Sequence, residues 1–143
     1  MALHHLIYLS TATREPSEAE LDAILGACAR HNPQAGVTGM LLYAGGTYIQ
    51  VLEGEHEAVR ETFMRIARDP RHCDATVLED EAIAERSFPA FHMGFRRLEA
   101  SDAVSHPAWA PALDRGFDLA SLGARPGIAL ELLVAFGRDA KVT

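Results

Sequence analysis

The sequence predicts an α+β fold in which five strands and two helices follow one another in the order βαββαββ. Three observations carry that expectation. Apolar residues recur at strand spacing in five short runs, they recur at helical spacing in two longer ones, and glycine or proline marks most boundaries between them. With 143 residues the chain makes one domain, long enough to bury a real core. Hydrophobic residues at 48% and charged residues at 23% are the proportions of an ordinary globular protein.

The first strand runs from about Leu3 to Ser10. Pro16 then precedes Ser17-Glu18-Ala19-Glu20, a capping box in which Ser17 and Glu20 satisfy one another's orphan backbone amides. Leu21, Ile24, Leu25 and Cys28 give the following helix its apolar stripe. His31-Asn32-Pro33 should end it, because proline disfavours helical backbone in the residue before it. Val37 to Tyr43 reads as the second strand and Thr47 to Glu53 as the third. Ala44-Gly45-Gly46 joins them, and tight hairpin turns need the positive φ that glycine supplies.

A second helix, from roughly Glu55 to Arg68, carries Val59, Phe63, Ile66 and Ala67 on one side and stops at Asp69-Pro70. The fourth strand reads Thr76 to Ile83. The fifth reads Phe88 to Leu98, with Pro89 at its start, where a missing amide hydrogen does least harm. Two βαβ halves with right-handed crossovers give a four-stranded sheet with both helices on one face, the ferredoxin-like arrangement. Strands one and three are then central neighbours, and the fifth strand extends the sheet.

After Glu99 the composition shifts. Pro107, Trp109 and Pro111 interrupt a polar stretch, and Pro126-Gly127 leads into the apolar run Ile128 to Phe136. The expected organisation is a sheet unit over residues 1–98 and a helical extension over 99–143 that packs on the open sheet face. The extension is too short for a second catalytic domain.

A formal charge of −7 argues against general affinity for nucleic acid or an anionic membrane, since both demand basic patches. No apolar run approaches the length of a spanning helix, and the N-terminus lacks the basic and apolar regions of a signal peptide. Cys28 and Cys73 fall in different elements and suggest no disulfide framework. The expected address is the cytoplasm.

The chemistry-bearing patterns of common enzymes are missing. No Gly-x-Ser-x-Gly elbow, His-x-x-x-His or Cys-x-x-Cys spacing occurs. Adjacent His4 and His5 point to opposite faces of a strand, so they cannot hold one ion together. Glu79-Asp80-Glu81 reads as solvated surface. Neither a metal site nor enzymatic activity is expected.

Two residues stand out. Alternation places Tyr48, Gln50 and Leu52 on one face of the third strand, so a carboxamide sits where an aliphatic side chain belongs. The first strand carries a phenol, Tyr8, and the fold places Tyr8 and Gln50 on adjacent central strands. An unmade hydrogen bond in such surroundings costs roughly 1–3 kcal/mol, so the amide must find partners. Rotating an amide exchanges donor for acceptor without changing its shape. The pair is therefore either a structural pin or a switch.

Leu6-Ile7-Tyr8-Leu9-Ser10, Asn32 with Gly36-Val37-Thr38-Gly39-Met40-Leu41-Leu42-Tyr43, and Ile49-Gln50-Val51-Leu52-Glu53-Gly54 resemble the BLUF domain, the sensor of blue light using flavin. So do Ile66 through Asp69-Pro70-Arg71-His72, and Arg86-Ser87-Phe88-Pro89 with Met93-Gly94-Phe95. The resemblance is collinear from residue 3 to about 98. It implies a noncovalently bound flavin, FAD with FMN or riboflavin as substitutes, lying between the two helices beside the sheet.

The resemblance also assigns roles. Tyr8 corresponds to the photoactive electron and proton donor, Gln50 to the switch amide, and Met93 to a flexible member of the rearranging pocket. Asn32 corresponds to the residue that bonds the polar edge of the isoalloxazine, and Arg71 and His72 to groups reaching its pyrimidine end. Arg65 and Asp69, an expected helix-spaced ion pair, lie near the ribityl and phosphate portion. Ile24 and Ile66 sandwich the ring, with Tyr48 nearby. No Gly-x-Gly-x-x-Gly cradle is present.

This chain departs from the family at Phe91-His92-Met93, where Trp followed by Ser or Ala and then Met is usual. Phe91 cannot donate a hydrogen bond as an indole does. His92 is expected on the strand face opposite Phe91 and Met93, and the chain's single tryptophan, Trp109, lies in the tail. Because the extension holds no output domain, the readout is expected to be an unidentified partner protein or a change of homo-oligomeric state. Two other readings stay open: a ferredoxin-like hydrolase of the acylphosphatase type, and a light-indifferent flavin or ligand carrier. The former lacks its anion nest, since Thr11-Ala12-Thr13-Arg14-Glu15 follows the first strand.

Overall fold

The βαββ core follows the expected order. In a computed structural model describing residues 2–44, 46–90, 92–98, 128–136 and 141–142, β1 is Leu3–Ala12, α1 Glu18–Ala35, β2 Thr38–Ala44 and β3 Thr47–Glu55. The remaining elements are α2 His56–Ala67, β4 His72–Ile83, β5 Gly94–Arg97, α3 Ile128–Phe136 and β6 Lys141–Val142. The sheet order is β4-β1-β3-β2-β5-β6. β1 and β3 are antiparallel central neighbours, and their register sets Tyr8 directly opposite Gln50.

Two apolar layers sandwich the sheet. On one face Leu6, Leu41 and Leu52 pack against Leu21, Leu25 and Cys28 of α1 and Val59 of α2. On the other, Ile7, Leu9, Met40, Ile49 and Val51 bury Ala129, Leu132 and Leu133 of α3. The strict alternation along β1 and β3 feeds both layers, which is why these strands are apolar almost throughout. Burying each leucine of α3 contributes about 1.5–3 kcal/mol. No helix among the described residues is long and apolar enough to cross a membrane.

Helix α1 departs from expectation at its end. It continues through Asn32 and Pro33 to Ala35 and closes on Gly36, which adopts φ 68°. The proline loses only its own amide donor in the last turn, while the Asn32 carbonyl accepts from Val37 N at 3.0 Å and the Pro33 carbonyl from Gly36 N at 3.3 Å. Glycine makes that left-handed cap without strain. At the other end, Ser17 Oγ accepts from Glu20 N as the capping box requires. The reciprocal arm is absent: the Glu20 carboxylate pairs with Arg14 at 2.9 Å instead.

Strands four and five are also redrawn. β4 begins at His72, four residues earlier than its apolar pattern suggests, and irregular registers with β1 accommodate the extra length. β5 is only four residues long and runs parallel to β2. Since β4 and β5 lie on opposite sides of the β1-β3-β2 core, residues 84–93 must cross the sheet, so Phe88 to Met93 cannot pair as a strand. His92 and Met93 therefore precede β5 rather than belong to it; His92 is exposed and Met93 is buried. Phe91 and Trp109 lie outside the described residues. The two-residue β6, paired antiparallel with β5, has no counterpart in the sequence reading.

Glu53 anchors that crossing. Its carboxylate is fully buried and accepts from the backbone amides of Ser87 at 2.7 Å and Phe88 at 2.8 Å. Arg86 donates to the Glu53 and Gly36 carbonyls and to Thr38 Oγ1. Nearby, β2 and β3 approach so closely that a Cβ on Gly39 would stand 1.9 Å from the Val51 carbonyl oxygen.

Candidate cofactor site

Tyr8 and Gln50, each 2% exposed, sit at the centre of the helix-covered sheet face. The Tyr8 hydroxyl donates to Gln50 Oε1 at 2.5 Å. Gln50 Nε2 in turn donates to the Met93 sulfur at 3.1 Å. A chain of polar contacts thus leads from β1 through β3 to the segment entering β5. Phe63 and His72 hold the Tyr8 ring edge, with centroids 5.3 and 6.2 Å away. Burial, aided by Cys28, Tyr48 and Asp69, drives the Tyr8 phenol far above the usual tyrosine range, so it is a proton donor at any physiological pH.

Beside this pair a cavity of about 210 Å³ opens between α1 and α2. Its walls are apolar, with Ile24, Leu41 and Ile66 among them, while Arg65, Asp69 and Arg71 supply charge. The volume is below the roughly 300–1,000 Å³ that encloses a whole drug-sized ligand, so it suits a flat ring system whose tail leaves over the rim. The Tyr48 hydroxyl faces this cavity buried and without a hydrogen-bond partner. An orphan of that kind beside aliphatic walls and two guanidinium groups fits a flavin, which offers carbonyls, ring nitrogens and phosphates.

Eight of the ligand-binding residues expected from sequence line the cavity: Ile24, Tyr48, Gln50, Arg65, Ile66, Asp69, Arg71 and His72. Asn32 stands apart from the lining. It is 1% exposed, donates from Nδ2 to the His92 carbonyl at 2.7 Å, and leaves Oδ1 without a partner.

His72 presents its ring rather than free donors. Nε2 is 2.6 Å from the Ile66 carbonyl, and Nδ1 is 2.6 Å from Ser10 Oγ. A carbonyl only accepts, so Nε2 carries the proton and, in the neutral ring, Nδ1 accepts from the serine. The expected Arg65–Asp69 pair is replaced by Asp69–Arg71 at 3.5 Å, reinforced by the Arg71 amide donating to Asp69 Oδ1. Helix α2 stops at Ala67, so Asp69 no longer lies one turn from Arg65.

The sequence reading passed over Ala27, Cys28, His31 and Leu41 as cavity residues. Their signals were available. Ala27, Cys28 and His31 follow Ile24 at helical spacings of three, four and seven, and Leu41 is the cross-strand neighbour of Gln50. Burial pushes the Cys28 thiol up to about 11 against the opposing pull of Arg65, so it is a neutral wall and not a nucleophile.

A phenol and an amide bonded in a dry pocket, next to a slot for a flat ring, define a cofactor-dependent sensor module. Residues 3–94 match the family of BLUF domains, sensors of blue-light using FAD, and the chain belongs to that family. Over 85 residues it is 41% identical to photoactivated adenylate cyclase subunit beta of Euglena longa, a match taking in 59% of this chain and 10% of that protein. It is 35% identical over 82 residues to the blue light- and temperature-regulated antirepressor BluF of Escherichia coli, covering 57% of this chain and 20% of that protein.

The dark-state structure of BlrB, a BLUF protein, superposes with a TM-score of 0.72 and 30% identity over 94% of this chain and 97% of that one. The chain spans about a tenth of the length of the cyclase subunits it matches. It is a flavin-binding blue-light photoreceptor of ferredoxin-like α+β fold, with FAD as the family's cofactor. The matched residues 3–94 are the light-sensing module that defines the family.

Proposed function

We propose that Tyr8, Gln50 and Met93 form the light-operated switch, and that the cavity residues named above hold the flavin. The observation that carries this reading is the continuous chain from the Tyr8 hydroxyl through the Gln50 amide to the Met93 sulfur, buried beside the ring-sized slot. A flavin held there would supply blue-light absorption and, when excited, an electron acceptor within reach of Tyr8. Tyr8 gives an electron and its hydroxyl proton, then recovers both. Gln50 loses its donor during the exchange and resettles, by rotation or tautomerisation, with a new hydrogen bond toward the ring. No covalent bond has to be undone, so the dark arrangement returns thermally.

Magnitudes decide how the signal leaves the pocket. One hydrogen bond contributes about 0.5–1.5 kcal/mol net. Moving a two-state element from mostly off to mostly on takes about 5.5 kcal/mol. The swapped bond must therefore move packed neighbours. Met93 is packed with Phe95 of β5, and β5 adjoins β2, whose other face meets α3. The reading assigns residues 1–98 to sensing and 99–143 to output, through repacking of β5 and α3.

A partner protein or a second copy of this chain reads that surface, in the cytoplasm. The relatives named for cyclase and antirepressor activities support coupling of such modules to varied effectors. Illuminating the flavin-loaded protein with blue light should red-shift its visible spectrum reversibly. Size-exclusion chromatography in darkness and light then reports the oligomer. A yellow protein whose spectrum ignores light would overturn the switch.

A further inference from the structure

On the sheet face turned away from the cavity, three ligating side chains converge at one end of the β1–β4 ladder. The register pairs His5 with Glu81 and Ile7 with Glu79, so His5, Glu79 and Glu81 share that face. One donor atom from each lies within 4.8 Å of the other two. His5 is 3% exposed, yet its Nε2 makes no hydrogen bond and lies 3.5 Å from Glu81 Oε1. Glu79 Oε2 is also buried without a partner.

Two unsatisfied buried atoms in one cluster are costly, and a native fold normally satisfies them. Two carboxylates thus gather around one buried imidazole.

We propose that His5, Glu79 and Glu81 bind a first-row divalent cation, with Zn²⁺ the best-matched ion. Imidazole nitrogen and carboxylate oxygen are its ordinary ligands, at about 2.0–2.2 Å, which sets donors on a tetrahedral ion roughly 3.3–3.5 Å apart. Closing the trio takes up to about 1.5 Å of movement, and the exposed Glu81 has the freedom to make it and gives the ion a way in. Water completes the shell.

A second trio, His4, His56 and Asp80, is equally close on the opposite face. There, however, His4 Nε2 already bonds Asp80 Oδ1, and an ion would displace an existing contact rather than relieve orphaned atoms. The proposed ion staples the edge strand β4 to β1, the strand that bears Tyr8.

The test is calorimetric titration of Zn²⁺ into the flavin-loaded protein after stripping with EDTA and desalting. One Zn²⁺ per chain should bind, and the thermal midpoint should rise. Glu81→Gln, at an exposed position, and His5→Gln should each weaken binding by at least about tenfold. His4→Gln and Asp80→Asn should leave it intact. The visible flavin spectrum and far-ultraviolet dichroism report that each variant is folded. Absence of Zn²⁺ binding would overturn the proposal, as would binding that survives Glu81→Gln or disappears in His4→Gln.

Discussion

Tyr8 and Gln50 are direct cross-strand partners, and the 2.5 Å hydrogen bond between them is buried on both sides. Tyr8→Phe keeps the ring packing against Phe63 and His72 while deleting the donor. The Gln50 carbonyl is left unpaired at a cost of about 1–3 kcal/mol, which a protein with this core tolerates. The variant should bind flavin and stay yellow but show no light-induced spectral shift. Difference spectra before and after illumination decide it, and a normal shift would remove Tyr8 as the donor.

Met93 discriminates between the two orientations of the Gln50 amide. Its sulfur accepts from Nε2 and has nothing to offer Oε1, so it favours the observed orientation. A contact of this kind contributes on the order of 0.5–1 kcal/mol. Met93→Leu fills similar volume without an acceptor and should slow thermal return to the dark spectrum by roughly two- to fivefold where the bond is fully regained at the barrier. Unchanged recovery kinetics would place Met93 outside the switch.

The Tyr8–Gln50 register was legible because both strands alternate strictly and the βαββ order fixes them as neighbours. The α1 face of the cavity was legible in principle from the spacing of Ile24, Ala27, Cys28 and His31. The path of residues 84–93 was not. In sequence Phe91, Met93 and Phe95 recur at strand spacing, but β5 begins only at Gly94 and the chain before it passes from one side of the sheet to the other. Its amides are satisfied by the distant Glu53 carboxylate, a partner no local pattern announces. The bonds of Asn32 and His72 escaped for the same reason, since His92, Ser10 and Ile66 meet them only after folding.

Glu53 braces that crossing through its carboxylate. Glu53→Ala strips the Ser87 and Phe88 amides of their acceptor; the buried Phe88 donor left unpaired costs about 1–3 kcal/mol, and the part-buried Ser87 donor less. The urea midpoint should fall accordingly, without loss of cooperativity. A midpoint within about 0.5 kcal/mol of the parent would mean that other groups take over the two amides.

Alkali should unfold this protein earlier than its net charge alone predicts. Burial, followed by the hydrogen bond to Glu15, pushes the Tyr43 phenol up to about 12, and burial pushes the Cys28 thiol up to about 11. Tyr8 and Tyr48 are raised by burial as well. In the unfolded chain these groups ionise near 9 and 10, so above that range the unfolded state gives up protons that the fold retains. Their stabilisation is complete below pH 9 and is lost as pH rises through 9 to 12. The slope approaches about 1.4 kcal/mol per pH unit for each proton withheld. Urea midpoints should be level from pH 7 to 9 and fall steeply by pH 11. Tyr43→Phe should flatten that fall, and a midpoint constant to pH 11 would show that these side chains ionise freely within the fold.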